Sequence, residues 1–189
     1  MKKKLLILVP MMFLIVGCSW FKKSNEDLEK VYVNLLKGEL TYVNMDKEEK
    51  YLSDLNKGVY KIEKFAYVDF DGDDSIEMIV QYTESGERYH IIFSNQGSTI
   101  YGYDIRDIKV NSINRDGFIS FEGEDMYGWL TYSFKKTELI KYTNLQYDIN
   151  GKNCMAENES ISCENYEEYN SKFTGYKAKN IKWTKYSAW

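Results

Sequence analysis

The hydrophobic positions of the chain repeat with a helical period before Lys64 and with a period of two after it. In the helical part the apolar residues are Leu28, Val31, Leu35 and Leu36. A capping-box pattern, S-x-x-[DE], begins at Ser24, and a glycine that can end a helix stands at position 38. These signals predict a helix over residues 25–37. The charged, mixed stretch 44–57 is a candidate for a second short helix.

After Lys64, short alternating runs are separated by glycine, aspartate and asparagine turns, a spacing typical of an antiparallel meander. The runs predict strands over residues 65–68, 76–82, 89–94, 99–103, 108–113, 118–121, 129–134 and 139–147. Asn150-Gly151 closes the series, and Tyr166–Phe173 is a candidate terminal helix. The expected fold class is α+β, with an N-terminal helix packed on an antiparallel β-meander of about seven or eight strands.

The first eighteen residues have the pattern of an export signal. Three lysines precede an apolar run from Leu5 to Val16, which is shorter than the ~20 residues needed to span a bilayer. The run ends in Ile15-Val16-Gly17-Cys18, which resembles the lipobox of bacterial lipoproteins. That resemblance implies cleavage before Cys18 and acylation of its thiol. The alternative is an uncleaved anchor helix with an incidental cysteine.

The domain organisation expected from this signal has three parts. Residues 1–17 are a lipoprotein signal peptide, residues 18–23 a lipidated tether, and residues 24–189 a single α+β domain. Ser19 to Lys23 can reach no more than about 17 Å. We therefore expect the folded part close to the outer face of a cell membrane, of the Gram-positive type, held there by its N-terminal lipid.

Composition and charge narrow the function classes. The chain is 43% hydrophobic and 16% aromatic, with 17 tyrosines, which favours a globular domain over a disordered stalk. Removal of residues 1–17 takes away three of the 25 basic residues and none of the 29 acidic residues, so the net charge falls from −4 to −7. An acidic domain with few arginines lacks the clustered cations that phosphate contacts require, so we expect no nucleic-acid partner.

Beyond Cys18 the chain has two cysteines, Cys154 and Cys163. Outside the cytoplasm such a pair is expected to form a disulfide, which would close the polar segment 155–162. Two free thiols are the alternative. A zinc site is not expected, because His90 is the only histidine of the chain and is distant in sequence.

The segment Asp69-Phe70-Asp71-Gly72-Asp73-Asp74-Ser75-Ile76-Glu77 carries five carboxylates in nine residues. Acidic side chains at positions 1, 3, 5 and 9, with a carbonyl at position 7, form the kind of oxygen cage that Ca²⁺ prefers. The segment is not an EF-hand, since the glycine at position 6 and the glutamate at position 12 are missing. The alternative is an acidic hairpin turn without metal, in which the carboxylates would repel one another.

The same segment resembles the D-x-D-G-D-x-x-x-[DE] calcium loops of FG-GAP and VCBS-type repeats. The resemblance implies a structural calcium ion held by the side chains of Asp69, Asp71, Asp73 and Glu77 and by the carbonyl of Ser75. The chain departs from that pattern in two ways: it has one copy of the loop rather than several, and position 6 is Asp74 instead of glycine.

Residues 64–121 also resemble a loose set of uncharacterised lipoproteins and secreted proteins of Gram-positive bacteria. The shared features are the D-x-D-G-D hairpin, Tyr101-Gly102-Tyr103 and the Asp116-Gly117 turn. No activity is established for that set, so the resemblance implies none.

The remaining candidate residues favour structural roles. His90 lies in an alternating strand and is expected to be a satisfied structural histidine rather than a catalytic one. Glu122, Glu124 and Asp125 are expected at a solvated hairpin tip, although a glycosidase-like carboxylate pair is conceivable there. Tryptophans 129, 183 and 189 are expected in the core rather than on a sugar-stacking surface.

Two functions follow from these observations. The first is a membrane-anchored, extracytoplasmic binding or accessory protein with one structural calcium site and no catalysis of its own, whose envelope or extracellular partner the residues do not identify. The alternative is a cell-envelope hydrolase or carbohydrate-active protein that uses acidic residues and surface aromatics. A cleft with two carboxylates about 5–10 Å apart would favour the alternative.

Overall fold

In the computed structural model, the described part of the chain contains one complete α-helix and thirteen strands. It comprises residues 23–123, 126–148, 153–157, 159–166, 168, 170–171 and 181–187. The expected signal peptide, Cys18 and the tether as far as residue 22 lie outside the described residues, as do Asn150-Gly151 and Phe173. The elements are α1 Asn25–Leu36, β1 Thr41–Val43, β2 Glu49–Tyr51, β3 Tyr60–Val68, β4 Glu77–Glu84, β5 Glu87–Gln96, β6 Thr99–Ile105, β7 Lys109–Ile113, β8 Ile119–Glu122, β9 Met126–Lys135, β10 Glu138–Asp148, β11 Cys154–Ala156, β12 Glu159–Ile161 and β13 Thr184–Lys185, with 3₁₀ turns at Leu52–Asn56 and Cys163–Asn165.

Helix α1 begins and ends where its capping residues predict. The Ser24 hydroxyl accepts a hydrogen bond from the Asp27 N–H at 3.2 Å, which satisfies one of the free donors of the first turn. After Leu36 the chain leaves the helix through Gly38, whose φ of 75° is the left-handed conformation expected of a C-terminal glycine. The predicted helix is thus confirmed to within one residue.

The strands form two sheets, so the expectation of a single meander is wrong, although the α+β class and all eight predicted strands are confirmed. The first sheet has the order β13-β3-β4-β5-β6-β1-β2, and the second has the order β12-β11-β10-β9-β8-β7. The physical reason is that strand β4 is apolar on both faces. Met78 and Val80 belong to one core cluster and Ile79 belongs to another, so this sheet needs a covering layer on each side.

Three layers result from this double burial. Helix α1 covers one face of the first sheet, where Leu28, Tyr32 and Leu35 pack against residues of β3, β4 and β5. The second sheet covers the opposite face through residues such as Ile113, Ile119 and Leu130. The outer face of the second sheet carries a smaller cluster of Trp129, Leu145, Ala156 and Tyr166.

The candidate second helix over residues 44–57 is not an α-helix. Strands β1 and β2 pair as a hairpin, and the 3₁₀ turn follows them. The hairpin forms because the Asn44 side chain accepts the Glu48 N–H at 2.8 Å and Lys47 adopts a φ of 65° in the turn. Strand β1 also makes a parallel contact with β6, where the absence of a Cβ at Gly102 leaves space for the Tyr42 ring.

Strands β11 and β12 lie in the segment expected to be a polar insert. They form a hairpin that the predicted disulfide closes, with Cys154 bonded to Cys163 and their Cα atoms 5.2 Å apart. Past this bridge, the described residues of the candidate terminal helix, Tyr166, Glu168, Asn170 and Ser171, are helical. No helix among the described residues combines the length and the apolar character needed to cross a membrane.

Candidate metal centre

The acidic segment 69–77 connects strands β3 and β4 at the end of their antiparallel hairpin. Val68 pairs with Glu77, so the strand register brings the two ends of the loop together. The first and last predicted ligands, Asp69 and Glu77, are therefore neighbours in space although eight positions separate them along the chain.

The backbone of the loop is organised around the Asp69 carboxylate. Its Oδ1 accepts hydrogen bonds from the N–H groups of Gly72 at 2.8 Å and Asp73 at 3.2 Å. Its Oδ2 accepts one from Asp74 at 2.9 Å. Asp74 has a φ of 65°, so the position at which related loops carry glycine has the left-handed conformation here too, and aspartate is one of the side chains that tolerate it. The loop is thus wound inward around its first carboxylate.

Three of the predicted ligands come together. One carboxylate oxygen from each of Asp69, Asp71 and Glu77 lies within 4.8 Å of the others. Asp73 does not belong to this group, and its Oδ1 instead accepts the Ser75 N–H at 2.7 Å. Of the five ligands expected from the sequence, the structure therefore brings three carboxylates together in one cluster.

Glu77 is the buried member of the cluster, with 3% of its surface exposed. Its Oε2 accepts the Phe70 N–H at 3.0 Å, and its Oε1 accepts the Ser94 hydroxyl at 3.4 Å. Burial raises the pKa of Glu77 to about 9, against the effect of the Phe70 hydrogen bond, and the nearby aspartates raise it further. Burying an ionised carboxylate without a cation beside it costs free energy. The neighbours of Glu77 on the loop side are aspartates, which are acidic themselves.

Asp71 is also perturbed, although much of the residue is exposed. Its carboxyl group lies among protein atoms, and this desolvation, followed by the charge of Asp73, raises the pKa of Asp71. Two members of the cluster thus resist ionisation when no cation is present.

Helix α1 holds the loop at Ile76. The Ile76 N–H donates to the Asn25 side chain at 3.3 Å, and the Tyr32 hydroxyl donates to the Ile76 carbonyl at 3.1 Å. The same hydroxyl accepts the Asn95 N–H at 3.1 Å, which links helix, loop and strand β5. The loop therefore lies at the N-terminal end of α1.

The second sheet holds the loop at Phe70. This side chain is 2% exposed and packs in the core between the sheets, where its ring lies 6.3 Å from that of Phe134. Gly117, with a φ of 78°, brings a turn of the second sheet against the loop backbone. A Cβ at that position would lie 2.7 Å from the Phe70 Cα and 2.8 Å from the Asp69 carbonyl oxygen.

Sequence reasoning missed the supporting residues of the site, namely Asn25, Tyr32, Ser94 and Gly117. Ser94 faces the space between the sheets, as Ile92 and His90 do two and four positions earlier in β5, but only the register of β4 against β5 places it beside Glu77. The Asp116-Gly117 turn was visible in the sequence, but its packing against the loop depends on the second sheet.

The other predicted candidates have varied environments. Trp129 is buried in the core of the second sheet, as expected. Glu122 is exposed and pairs with Lys109 at 3.3 Å, while Glu124, Asp125 and Trp189 lie outside the described residues. His90 is buried as expected, and its ring lies 6.2 Å from the ring of Trp183.

Comparisons of the chain with protein-family models, with curated proteins and with solved structures found no match. The function is therefore inferred from the residues and geometry of the chain itself.

Proposed function

We propose that this chain is a membrane-anchored extracytoplasmic lipoprotein that acts as a non-catalytic binding or accessory protein and carries one structural calcium site. The N-terminal lipid on Cys18 attaches it to the outer face of the membrane. The Asp69–Glu77 loop is its calcium site. Its partner is an envelope or extracellular molecule that the chain's own residues do not identify.

The observation that carries the metal proposal is the convergence of Asp69, Asp71 and Glu77 within 4.8 Å around a buried carboxylate. Hard, anionic oxygen donors are the ligands of Ca²⁺, which accepts six to eight of them in flexible geometry. The three carboxylates could hold the ion, and Asp73 and the Ser75 carbonyl would complete the ligand set that the sequence predicts. A divalent cation would also supply the counter-charge that the anionic cluster lacks.

A structural role is supported by the surroundings of the loop. It is bonded to Asn25 and Tyr32 of α1 on one side and packed against Gly117 of the second sheet on the other. An ion bound there would brace all three layers of the fold at the end where the tether enters the helix. We infer that calcium fixes how the folded domain stands on its lipid anchor.

The acidic turn of Glu122, Glu124 and Asp125, the candidate site of the hydrolase alternative, does not support that function. Its candidate acid Glu122 is an exposed, lysine-paired residue, and its two candidate partners lie outside the described residues.

Thermal melting in EDTA and in 1 mM Ca²⁺ tests the calcium proposal. An extracellular site of this kind is expected to have a Kd near 10⁻⁴–10⁻³ M. At a Kd of about 0.1 mM, 1 mM Ca²⁺ adds roughly 1.4 kcal/mol of stability, which corresponds to about 3–6 °C in Tm for a domain of this size. Mg²⁺ should substitute poorly, because it dehydrates reluctantly.

Two matched variants make this experiment specific. Asp71→Asn removes a clustered carboxylate and should abolish the calcium-dependent rise in Tm, while raising the Tm in EDTA through relief of repulsion. Asp74→Asn removes the same charge from the same loop at an exposed position outside the cluster, where asparagine tolerates the positive φ, and should keep the rise. If wild-type Tm and titration heat do not respond to 10 mM Ca²⁺, the loop is only an acidic turn.

A further inference from the structure

A second site is indicated by a cavity with a volume of about 630 Å³. It lies where the start of β5, the connection from β6 to β7, and the end of β8 meet, at one edge of the space between the two sheets. The volume is within the range of small-molecule binding sites. His90 lines this cavity, four positions along β5 from Ser94 and the acidic cluster.

His90 is a polar side chain on the wall of this cavity. It is 4% exposed, and its ring contacts the Trp183 ring at 6.2 Å between centroids. Among the residues described, none donates to or accepts from the imidazole. Among the described residues, the buried side-chain atoms that lack a partner belong to Asn114 and Asn144 and not to His90. The imidazole therefore faces the open space of the cavity, where a ligand can bond to it.

The charges around the cavity indicate the sign of that partner. The charged lining residues are Glu87, Arg88, Arg106, Asp107, Lys109 and Glu122. Each acid already has a close donor: the Tyr89 hydroxyl at 2.7 Å from Glu87, Lys141 at 3.2 Å from Asp107, and Lys109 at 3.3 Å from Glu122.

The two arginines that line the cavity differ in how many of their N–H donors are bonded. Each of the three guanidinium nitrogens of Arg106 donates a hydrogen bond, to Asp104, Glu84 and the Tyr82 hydroxyl. Within the described part of the chain, Arg88 has only a 4.0 Å ion pair with Glu63, so most of its donors have no partner there. The unused capacity of the lining is therefore cationic.

The electrostatic environment of the imidazole also favours an anionic ligand. Burial lowers the pKa of His90 to about 4, and the positive charges of Lys64 and Arg88 lower it further. At neutral pH the ring is uncharged and offers one N–H donor in a region of positive potential.

We propose that this cavity binds a small ligand through an oxyanion, a carboxylate or a phosphate, with the His90 imidazole and the Arg88 guanidinium as its donors. Arginine binds both anions in a bidentate manner, which fixes the orientation of the group. The rest of the cavity leaves space for a larger organic part than the anion alone. This site is independent of the calcium loop, because it shares no residue with the acidic cluster.

The test uses the single histidine of the chain as a spectroscopic reporter. The Cε1–H signal of His90 is followed by NMR in the full-length chain, in neutral detergent and EDTA, during titration with inorganic phosphate, with acetate, and with neutral glucose. We expect one of the anions to shift the signal saturably and to raise the pKa of His90, while glucose leaves it in place. Tighter binding of phosphate assigns a phosphate ligand, and tighter binding of acetate assigns a carboxylate.

Arginine variants complete the test. Arg88→Gln should weaken anion binding at least tenfold, the effect of losing a charge-assisted hydrogen bond. Arg115→Gln is the matched control, since it removes an exposed arginine that does not line the cavity and should leave binding unchanged. An unchanged Tm shows that each variant is folded. The proposal is overturned if neither anion moves the signal, if glucose moves it equally, or if both variants weaken binding alike.

Discussion

At the residue scale, Gly117 is where the second sheet contacts the acidic loop 69–77. We predict that Gly117→Ala lowers the free energy of unfolding by about 2–4 kcal/mol, because the new methyl would overlap the Phe70 and Asp69 backbone in addition to the cost of a positive φ. Chemical denaturation with fitted m-values measures the loss. Calcium affinity should fall in the same variant, since the loop must move to make room.

Gly97→Ala separates these two costs. Gly97 has a similar φ of 75°, but a Cβ there would have no atom within 4 Å. It should therefore show only the conformational penalty of about 1 kcal/mol. Equal losses in the two variants would mean that the Gly117 contact contributes nothing.

A second prediction at the residue scale concerns how His90 makes the stability of the fold depend on pH. Its folded pKa is about 4 and its unfolded value about 6.5, so the unfolded chain binds the proton first. Stability from the neutral imidazole is present above pH 6.5 and is lost as the pH falls toward 4, by an amount on the order of 3 kcal/mol. Urea unfolding at several pH values should show a weaker dependence between pH 6.5 and 4 for His90→Gln than for the wild type.

Carboxylates also titrate between pH 6.5 and 4, but the wild type and the His90→Gln variant have the same carboxylates. The difference between their two pH curves of stability therefore isolates the contribution of the imidazole. If the two pH curves of the unfolding free energy were parallel, His90 would take up its proton in the folded state as readily as in the unfolded chain. Its burial would then have no effect on stability. A bound anion, by raising the folded pKa, should reduce the wild-type loss.

The residues of the three-carboxylate cluster could be predicted from spacing because a hairpin loop is local. Asp69, Asp71 and Glu77 belong to one turn, and the pairing of the two adjacent strands is enough to bring them together. The burial of Glu77 could not be predicted in this way. It depends on Ser94 and on the second sheet, which are set by tertiary packing.

At the scale of elements, the hairpin of β11 and β12 rests on its disulfide. The bridge closes a loop of about ten residues, for which the chain-entropy model gives roughly 2–3 kcal/mol. We predict that the double variant Cys154→Ser, Cys163→Ser unfolds with a free energy lower by that amount. Dithiothreitol should lower the wild-type Tm and leave that of the variant unchanged. Alkylation of both thiols without prior reduction, detected by mass spectrometry, would contradict the bridge.

Strand prediction worked where the runs were long and failed where they were short. The eight predicted strands all exist, because alternation over four or more residues carries a clear period. Strands β1, β2, β11 and β12 have three residues each and β13 has two, too few to show a period. The division into two sheets was missed because hairpin turns look alike whether they continue one sheet or begin another.

At the scale of the whole molecule, the proposed attachment to the membrane depends on one cysteine, Cys18. We predict that Cys18→Ala moves the protein from the membrane fraction to the soluble or secreted fraction, because the lipid is the only anchor the sequence predicts. Fractionation followed by immunoblotting measures the shift. The Cys154→Ser, Cys163→Ser variant is the control and should stay with the membrane. A Cys18→Ala protein that still fractionates with membranes would favour the uncleaved anchor helix.

The order of strands in the first sheet also constrains how the molecule can fold. Strand β13 pairs with β3, Thr184 opposite Phe65, so the whole second sheet is an excursion between two parts of the first. A chain that emerges from its N-terminal end makes β3 long before β13. Until β13 arrives, the outer edge of β3 presents unpaired N–H and C=O groups, a template on which another emerging chain can add a strand. The two residues of β13 cover the part of this edge at Lys64 and Phe65 only late in synthesis. We expect added strands from a second chain to compete most strongly in the interval before β13 docks.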